Sequence, residues 1–377
     1  MSGIYLHIPF CKQACHYCDF HFSTTLKHKQ GLLEAMELEM EQRRDELGGQ
    51  PAETLYFGGG TPSLLTGAEI GQLIRRAAAC FGLAADAEIT LEANPDDLPP
   101  GRLEELALSP VNRLSIGIQS FHETELRWMN RAHSAGEALE CLEHAAARFA
   151  NYSIDLIYGI SGSRPDDWKR TLEVALGFDP PHISAYALTV EPDTALARFI
   201  DKGVTPGVDD HRAREDFSHL VETLQQAGYD HYEISNFGKP GFHSRNNTAY
   251  WQGKSYVGIG PSAHSFDGGN RRWNVASNLK YLRAVTEGKT YWEAEQLSTR
   301  DRYNEAVMTG LRTQWGVSEN RVGSEFGPRY AEYLRQQAAP YLEKGLLASR
   351  SGHLVATEAG KFLVDGIASD LFMINLK

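Results

Sequence analysis

Residues 4–18 read Ile4-Tyr-Leu-His-Ile-Pro-Phe-Cys11-Lys-Gln-Ala-Cys15-His-Tyr-Cys18, a short β-branched and aromatic run followed by three closely spaced cysteines. The run predicts a first β-strand over residues 4–8, so the cysteine triplet (Cys11, Cys15 and Cys18) follows the carboxyl end of that strand. In parallel α/β folds this end of the sheet carries the functional site. The stretch therefore indicates both an α/β fold and the place of its chemistry.

The cysteine triplet has the spacing C-x3-C-x2-C, which suits a [4Fe–4S] cluster. Three thiolates hold three irons and leave the fourth iron open to a substrate or cofactor. A Cys3His zinc site, with His7 or His16 as its fourth ligand, is the alternative. Cys80 and Cys141 stand alone in helical segments, and an odd cysteine count in a long chain does not indicate a disulfide framework.

The first two-thirds of the chain alternates strand-like runs with segments of helical period, which predicts βαβ units and a parallel sheet. The predicted strands cover residues 4–8, 54–57, 88–91, 113–118, 153–157 and 182–188. A first helix over residues 30–47 places Leu33, Met36, Met40 and Leu47 on one apolar stripe that would cover the sheet. Periodicity alone leaves an open doubly wound sheet and an incomplete barrel as alternatives.

Three parts are predicted along the chain: a barrel or sheet domain over 1–228, a loop-rich segment over 229–296 that covers the site, and a mostly helical domain over 297–377. In the last part, helices followed by a hairpin favour a winged-helix-like module. Such modules often bind DNA, but Arg350 and Lys361 are interleaved with Glu343, Glu358 and Asp365, so no basic stripe develops. A packing role is therefore favoured.

Composition sets the protein class. The 377 residues are 42% hydrophobic and 23% charged, typical of a globular chain, and no run of about 18 apolar residues predicts a membrane span. The formal net charge of −12 argues against nucleic-acid binding through a general positive field. Because the N-terminus lacks the pattern of a secretory signal, we expect a cytoplasmic protein.

The cysteine triplet, with Tyr17 just before its third cysteine, resembles the signature of the radical S-adenosylmethionine (SAM) superfamily. The segment Tyr56-Phe-Gly-Gly-Gly-Thr-Pro62 is similar to that superfamily's glycine motif, which binds the amino group of SAM. The resemblance implies a partial (β/α)6 barrel, a [4Fe–4S] cluster on the triplet, and SAM contacts from Gly59, Gly60 and Thr61.

Further motifs, Glu92-Ala-Asn-Pro95 and Ser115-Ile-Gly-Ile-Gln119, resemble the coproporphyrinogen III dehydrogenase branch of the superfamily. Carboxylates and amides can hold a diol, and an arginine can pair with a carboxylate, so polar side chains at strand ends suit SAM. The additional SAM contacts that this resemblance implies are Tyr5, Tyr17, Glu92, Gln119, Arg131 and Asp155.

Within that branch, the oxidising enzymes carry a fourth cysteine two residues after the third, where this chain has Phe20. Their long N-terminal extension also has no counterpart before the first predicted strand. The segments over residues 182–194, 232–237 and 256–265 instead resemble the haem chaperone family (HemW). Haem transfer to apo-haemoproteins is the function that this resemblance implies, and oxygen-independent coproporphyrinogen III dehydrogenase or another radical SAM oxidoreductase is the alternative.

The haem-associated motif of that family reads H-N-x-x-Y-W, and this chain has Asn246 in place of the histidine. The rest of the motif implies that Asn247, Tyr250 and Trp251 contact haem. An amide is a poor ligand for haem iron, so other side chains are the candidate substitutes. One is Tyr250 within the motif. The others are two histidines, one just before the motif and one in the motif over residues 256–265. These histidines are His243 and His264.

The partners implied by the resemblance are haem as cargo and apo-haemoproteins as recipients. A membrane-associated recipient and a homodimer are compatible with it, and no nucleic acid is expected. Coproporphyrinogen oxidase activity is not expected, whereas the sequence leaves open whether SAM is cleaved and so whether the chain is an enzyme.

Overall fold

The computed structural model describes residues 2–374. Its strands, β1 to β15 in chain order, span Gly3–Ile8, Ala52–Gly59, Leu83–Ala93, Arg113–Gln119, Tyr152–Tyr158, His182–Ala187, Asp230–Glu233, Asn236–Gly238, Tyr256–Ile259, His264–Phe266, Asn270–Asn274, Trp292–Gln296, Val317–Ser318, Leu347–Arg350 and His353–Ala356. Its α-helices, α1 to α15, span Lys29–Gln42, Gly67–Phe81, Pro100–Ala107, Glu123–Trp128, Ala135–Ala146, Asp167–Gly177, Ala195–Asp201, Asp210–Gln226, Arg245–Trp251, Asn278–Thr286, Thr299–Leu311, Glu319–Phe326, Pro328–Glu343, Glu358–Lys361 and Val364–Asp370.

The central feature is a 12-stranded sheet in the order β12-β11-β10-β9-β1-β2-β3-β4-β5-β6-β8-β7. Strands β1 to β6 pair in parallel with their sequence neighbours, and a helix follows each of them. The order is linear, with β7 and β12 at its ends. This arrangement confirms the predicted α/β class, and the partial (β/α)6 barrel of the resemblance accounts for the open order.

The six parallel strands separate apolar from polar side chains by alternation, since successive residues of a strand point to opposite faces. One face is apolar and packs in the main hydrophobic core with α1, α2 and the other covering helices, as Ile4, Leu6 and Ile8 of β1 do. The opposite face is polar and buried, as in Ser153 of β5 and His182 of β6, whose side chains are 2.7 Å apart. The inside of the barrel is therefore a hydrogen-bonded polar layer.

All six predicted parallel strands are present, each with bounds that differ from the prediction by one to five residues at an end. Helix α1 ends at Gln42 rather than at residue 47, and its predicted stripe Leu33, Met36 and Met40 is buried. Residues 229–296, for which the sequence indicates loops, contain six short strands and two helices. These strands extend the sheet at both edges, and β9 pairs in parallel with β1.

The C-terminal module has helix α11, strand β13, helices α12 and α13, and the hairpin β14–β15, which form a three-stranded sheet in the order β13-β15-β14. Ser351 and Gly352 turn the hairpin with φ of 50° and 77°, as two-residue hairpin turns require. Its own core includes Tyr303, Leu334 and Leu354. The module is thus mostly helical and winged-helix-like, as predicted. Between residues 2 and 374, every helix is too short or too polar to cross a bilayer.

A buried carboxylate joins α1 to the sheet edge. Glu39 is fully buried and accepts hydrogen bonds from Arg43 Nη1 at 2.9 Å, Asn274 Nδ2 at 2.8 Å, Tyr281 Oη at 2.6 Å and the Gly260 amide at 2.8 Å. These partners come from α1, α10 and the β9–β11 region. One side chain therefore fixes the added strands against the barrel.

Glu39→Ala should strongly destabilise the fold, because it removes the buried one of the two carboxylates that pair with Arg43, the other being Glu46. It also leaves the buried Tyr281 hydroxyl without its acceptor. Losing one member of a buried ion pair costs about 3–5 kcal/mol of unfolding free energy. Denaturant unfolding measures the difference, with Glu34→Ala on the exposed side of α1 as the matched control. Equal losses in the two variants would contradict the role assigned to Glu39.

Candidate functional site

The cysteine triplet lies in the loop after β1, beside the loop after β2. Parallel pairing places Ile8 of β1 opposite Gly59 of β2, so the two loops leave the same edge of the sheet side by side. The Thr61 hydroxyl lies 3.5 Å from Cys11 Sγ, and the Cys11 amide donates to Ser23 O at 3.1 Å. The predicted cluster loop and the predicted glycine loop are therefore in direct contact.

The three thiols are half-buried and form no disulfide. Burial is the main cause that raises the pKa of Cys11, and it raises the pKa of Cys18 to about 12. Arg131 Nη1 lies 3.5 Å from Cys15 Sγ, so a cation stands beside the thiols. A coordinating thiol is deprotonated by the metal it binds, and a sheltered site with a neighbouring cation suits an iron–sulfur cluster.

The histidines proposed for a zinc site are bonded elsewhere. His7 Nε2 contacts His21 O at 2.9 Å and His7 Nδ1 contacts Tyr5 Oη at 3.3 Å, while His16 Nδ1 contacts Trp128 O at 2.8 Å. Within residues 2–374, no three His, Cys, Asp or Glu side chains converge on a point that could hold one metal ion. Zinc requires such convergence, whereas a [4Fe–4S] cluster takes each thiolate on a different iron. Both histidines that a Cys3His zinc site would need are therefore already hydrogen-bonded to other groups.

The glycine loop is shaped by close backbone contacts. Gly59 has a φ of 105°, which disfavours a side chain, and its amide donates to Glu92 Oε2 at 3.2 Å. A Cβ atom on Gly60 would lie 2.7 Å from Phe10 O, so any larger residue there would push the two loops apart. Glycine at both positions lets the chain approach a ligand and the cysteine loop together.

Two half-buried carboxylates, Glu92 and Asp155, lie on the polar face of the barrel. Tyr56 Oη donates to Glu92 Oε1 at 2.8 Å, and Ser115 Oγ donates to Asp155 Oδ2 at 3.1 Å. Burial raises the pKa of Glu92 to about 7 and also raises the pKa of Asp155. Both carboxylates therefore lack a full ionic partner, as expected where a polar or cationic ligand completes their surroundings.

Arg131 connects the cysteine loop to the ends of β3 and β4. Its Nη2 donates to Asn94 Oδ1 at 2.6 Å and to Gly117 O at 2.8 Å. Its Nε is buried and has no hydrogen-bond partner among the described residues, which leaves a donor for a ligand. Gln119 ends β4 with a φ of 66°. Tyr17 lies beside Arg131 in the cysteine loop and packs against the hydrophobic cluster that includes Leu126 and Met129.

A cavity of about 860 Å³ extends from the polar face of the barrel to the segment over 229–296. Two of the predicted SAM contacts line this cavity, Tyr5 and Glu92. All three predicted haem residues line it as well. Asp19, Phe20 and His21, directly after the cysteine triplet, also line it. The cavity thus joins the two predicted binding regions, and the remaining SAM residues lie outside its lining.

The haem motif forms the side wall of this cavity on helix α9. Tyr250 is 50% exposed, and its ring contacts Trp251 edge-on at 5.3 Å between centroids. Asn246 Oδ1 accepts from the Thr54 hydroxyl at 3.3 Å, and Asn247 Nδ2 donates to Asn236 Oδ1 at 3.5 Å. The exposure of Tyr250 favours a ligand contact over core packing.

Several residues of the site were missed from the sequence. Tyr186 on β6 and Thr54 on β2 both lie on the inward face of their strands and line the cavity. The alternation of inward and outward side chains along these strands is the signal that could have found them. Arg312 has no such signal. Its guanidinium lies 5.0 Å from the Trp251 ring, contacts Glu233 at 3.1 Å and binds Asp365 at 2.6 Å, so it links the cavity wall to the C-terminal module.

Comparison with known proteins agrees with this geometry. The Radical SAM superfamily model matches residues 5–175, and the HemN C-terminal domain model matches residues 297–363. "Heme chaperone HemW" of Mycobacterium tuberculosis is 35% identical over 98% of this chain and 94% of its own length. HemW of Bacillus subtilis is 32% identical over 96% of this chain and 97% of its own length. The solved coproporphyrinogen III oxidase (HemN) of Escherichia coli is similar with a TM-score of 0.85 and 25% identity, covering 99% of this chain and 90% of that one.

Parallel strands with a three-cysteine loop and a glycine loop at their carboxyl ends define a radical SAM protein. The superfamily implies a [4Fe–4S] cluster and SAM, and the thiols, the half-buried carboxylates and the free Arg131 Nε fit them. Sequence identity above 30% to curated haem chaperones over nearly the full length identifies the family within this superfamily. The chain belongs to the haem chaperone HemW family.

The raised pKa of Glu92 predicts a pH-dependent stability. Between pH 4.5 and about 7 the folded protein holds a proton on Glu92 that the unfolded chain has released, so this residue's contribution falls as pH rises through that window. Glu92→Gln has no titrating group at this position, so it does not lose unfolding free energy there as pH rises. The unfolding free energy of the variant relative to the parent should rise by up to about 1.4 kcal/mol per pH unit across the window, measured by denaturant unfolding. A constant difference would contradict it.

Proposed function

We propose that this chain is a haem chaperone that binds a [4Fe–4S] cluster and SAM and transfers haem to apo-haemoproteins. The observation that carries the proposal is the similarity to curated haem chaperones along nearly the whole chain. A cavity of about 860 Å³ lies within the roughly 300–1,000 Å³ range of small-molecule sites and has an aromatic wall suited to a porphyrin.

The cysteine triplet holds the cluster in this proposal. When bound, the cluster offers an open iron to SAM and is a one-electron donor in catalytic members of the superfamily. SAM would be oriented by the residues at the strand ends. Glycine amides and carboxylates would bind its amino group and ribose, and Arg131 would pair with its carboxylate; the set is Tyr5, Tyr17, Gly59, Gly60, Thr61, Glu92, Gln119, Arg131 and Asp155.

Haem is the cargo and would lie against the α9 side of the cavity, on Tyr250 and Trp251 with Asn247 nearby. Aromatic side chains give large apolar contact to a planar ring. Lys254 and Arg271 line the same cavity and are the cations proposed for the two carboxylates of the porphyrin, with Arg271 already paired to Glu305 at 2.7 Å. The polar inner face, with Glu92 and Tyr56, would remain for SAM.

In this proposal the chaperone is cytoplasmic and its recipients are apo-haemoproteins. A membrane-associated recipient and a homodimer are compatible with the proposal. Three parts would share the work: residues 1–228 bind the cofactors, residues 229–296 form the haem wall, and residues 297–377 pack against that wall. Pairing of Lys361 with Glu358 at 2.8 Å in the C-terminal module supports packing rather than nucleic-acid binding.

A second candidate function is oxygen-independent coproporphyrinogen III dehydrogenase. The fold similarity to HemN, with a TM-score of 0.85, favours it. Against it, Phe20 stands where the oxidising enzymes of the resemblance carry a fourth cysteine. Phe20 is 66% exposed and lines the cavity, so an apolar ring takes that place beside the cluster loop.

Haem titration tests the proposal. Anaerobically reconstituted protein should bind haem saturably, one per chain, as followed by Soret absorbance, and should not form protoporphyrinogen under reducing conditions with SAM. The Asn246→His variant is titrated in parallel. We expect the unaltered chain to bind haem without this substitution. Sustained protoporphyrinogen formation would favour the dehydrogenase, and binding only after Asn246→His would show that this chain has lost the chaperone function.

Replacement of Cys15 by Ala should abolish cluster assembly, because only two thiolates remain. Iron and acid-labile sulfide per chain, measured after anaerobic reconstitution, report the loss. Cys80→Ala is the matched control, since Cys80 lies on α2 and contacts Glu41, away from the triplet. Full iron and sulfide content in the Cys15 variant would refute the assignment of the triplet.

A further inference from the structure

We propose that His264 is the axial ligand of haem iron in this chain, replacing the histidine that Asn246 has displaced. The inference rests on the proposed function, because it names the group that holds the haem cargo. It follows from the histidines that line the cavity, from the bonding of each ring, and from the rigid backbone beneath one of them.

Three histidines line the cavity: His7, His21 and His264. Both ring nitrogens of His7 are bonded, to His21 O and to Tyr5 Oη. His21 Nε2 is bonded to Asn278 Oδ1 at 2.8 Å. For His264, which lines the cavity and is exposed, the described residues provide no hydrogen bond or ion pair to either ring nitrogen. His264 is therefore the cavity histidine with neither ring nitrogen engaged, whereas His21 has one free nitrogen, Nδ1, and is held through the other by Asn278.

The other candidates are less suited. His243 lies outside the cavity lining, contacts Asp230 Oδ2 at 3.1 Å and stacks on Tyr232 at 4.3 Å between ring centroids. The Asn246 amide oxygen is occupied by the Thr54 hydroxyl, and an amide is a poor iron ligand. Tyr250 is exposed in the same cavity and is the competing ligand that an experiment must separate from His264.

The backbone around His264 is fixed, as an axial ligand requires. His264 begins β10, which pairs with β9 and β11 and places it opposite Trp273, and the two rings stack at 6.3 Å. A Cβ atom on Gly258 would lie 1.9 Å from His264 O, so only glycine permits this close turn between β9 and β10. The imidazole is therefore presented from a rigid strand rather than a loop.

The electrostatic surroundings favour the neutral form of the ring. Burial and the neighbouring Arg271 lower the pKa of His264. A neutral imidazole carries the lone pair that binds iron. Arg271 and Lys254 lie in the same wall, so that haem bound through His264 would bring its carboxylates within reach of cations.

The test uses the full chain with ferric haem. His264→Gly should raise the dissociation constant for haem at least about tenfold and shift the Soret maximum, and added imidazole should restore the parent spectrum by entering the space left. His243→Gly, a histidine outside the cavity lining, is the matched control and should change neither. Near-ultraviolet circular dichroism checks that each variant is folded, and His264→Gln provides a second variant that keeps the side-chain volume.

The outcomes separate the ligand assignment from the proposed function. If the parent chain binds haem and the His264 variants keep its affinity and spectrum, the assignment is wrong, and loss of the spectrum in Tyr250→Phe would move it to that phenol. If the parent chain itself fails to bind haem, the proposed function fails, and the ligand assignment with it. Imidazole rescue specific to His264→Gly supports the proposal.

Discussion

The site depends on the hydrogen bonding of β1 in the interior of the sheet. This strand pairs in parallel with β2 on one side and with β9 on the other, so its end cannot shift in register without breaking two ladders. Its carboxyl end carries the cysteine triplet, and the facing end of β2 carries the glycine loop. A one-residue slip would also turn Tyr5 and His7 from the polar face to the apolar face. The positions of the thiols, the glycines and the cavity all follow from this register.

The polar inner face of the barrel bears on the proposal that SAM and haem bind at separate surfaces. Alternation along the strands gives a buried layer of hydroxyls, imidazoles and carboxylates, which would be costly without partners. Part of the layer is satisfied internally, as in the contact of His182 with Tyr232 at 2.7 Å. The part nearest the cysteine loop keeps Glu92 and Arg131 incompletely paired. The aromatic wall on α9 adds an apolar surface opposite, so polar and planar ligands have separate places.

The sequence predicted the parallel strands and the cysteine loop well, because both depend on local pattern. It did not find the strands between residues 229 and 296, since three- to five-residue strands such as Asn236–Gly238 and His264–Phe266 are too short to show alternation. Their pairing is imposed by the edges of the sheet. The network around Glu39 was missed for a similar reason: three of its four partners, all except Arg43, are more than 200 residues away in the chain. Such contacts exist only after the fold brings them together.

Arg312 gives the C-terminal module a particular relation to the rest of the chain. The guanidinium at the end of α11 contacts the buried Glu233 and also Asp365 of α15, while covering Trp251 in the cavity wall. A protein cut before α11 would leave the buried Glu233 without its arginine partner, and Trp251 without its cover. The module is therefore not an interchangeable appendage. Gene fusions, transplants or deletions at this boundary would alter the cavity wall that α9 forms, so we expect the two parts to change together.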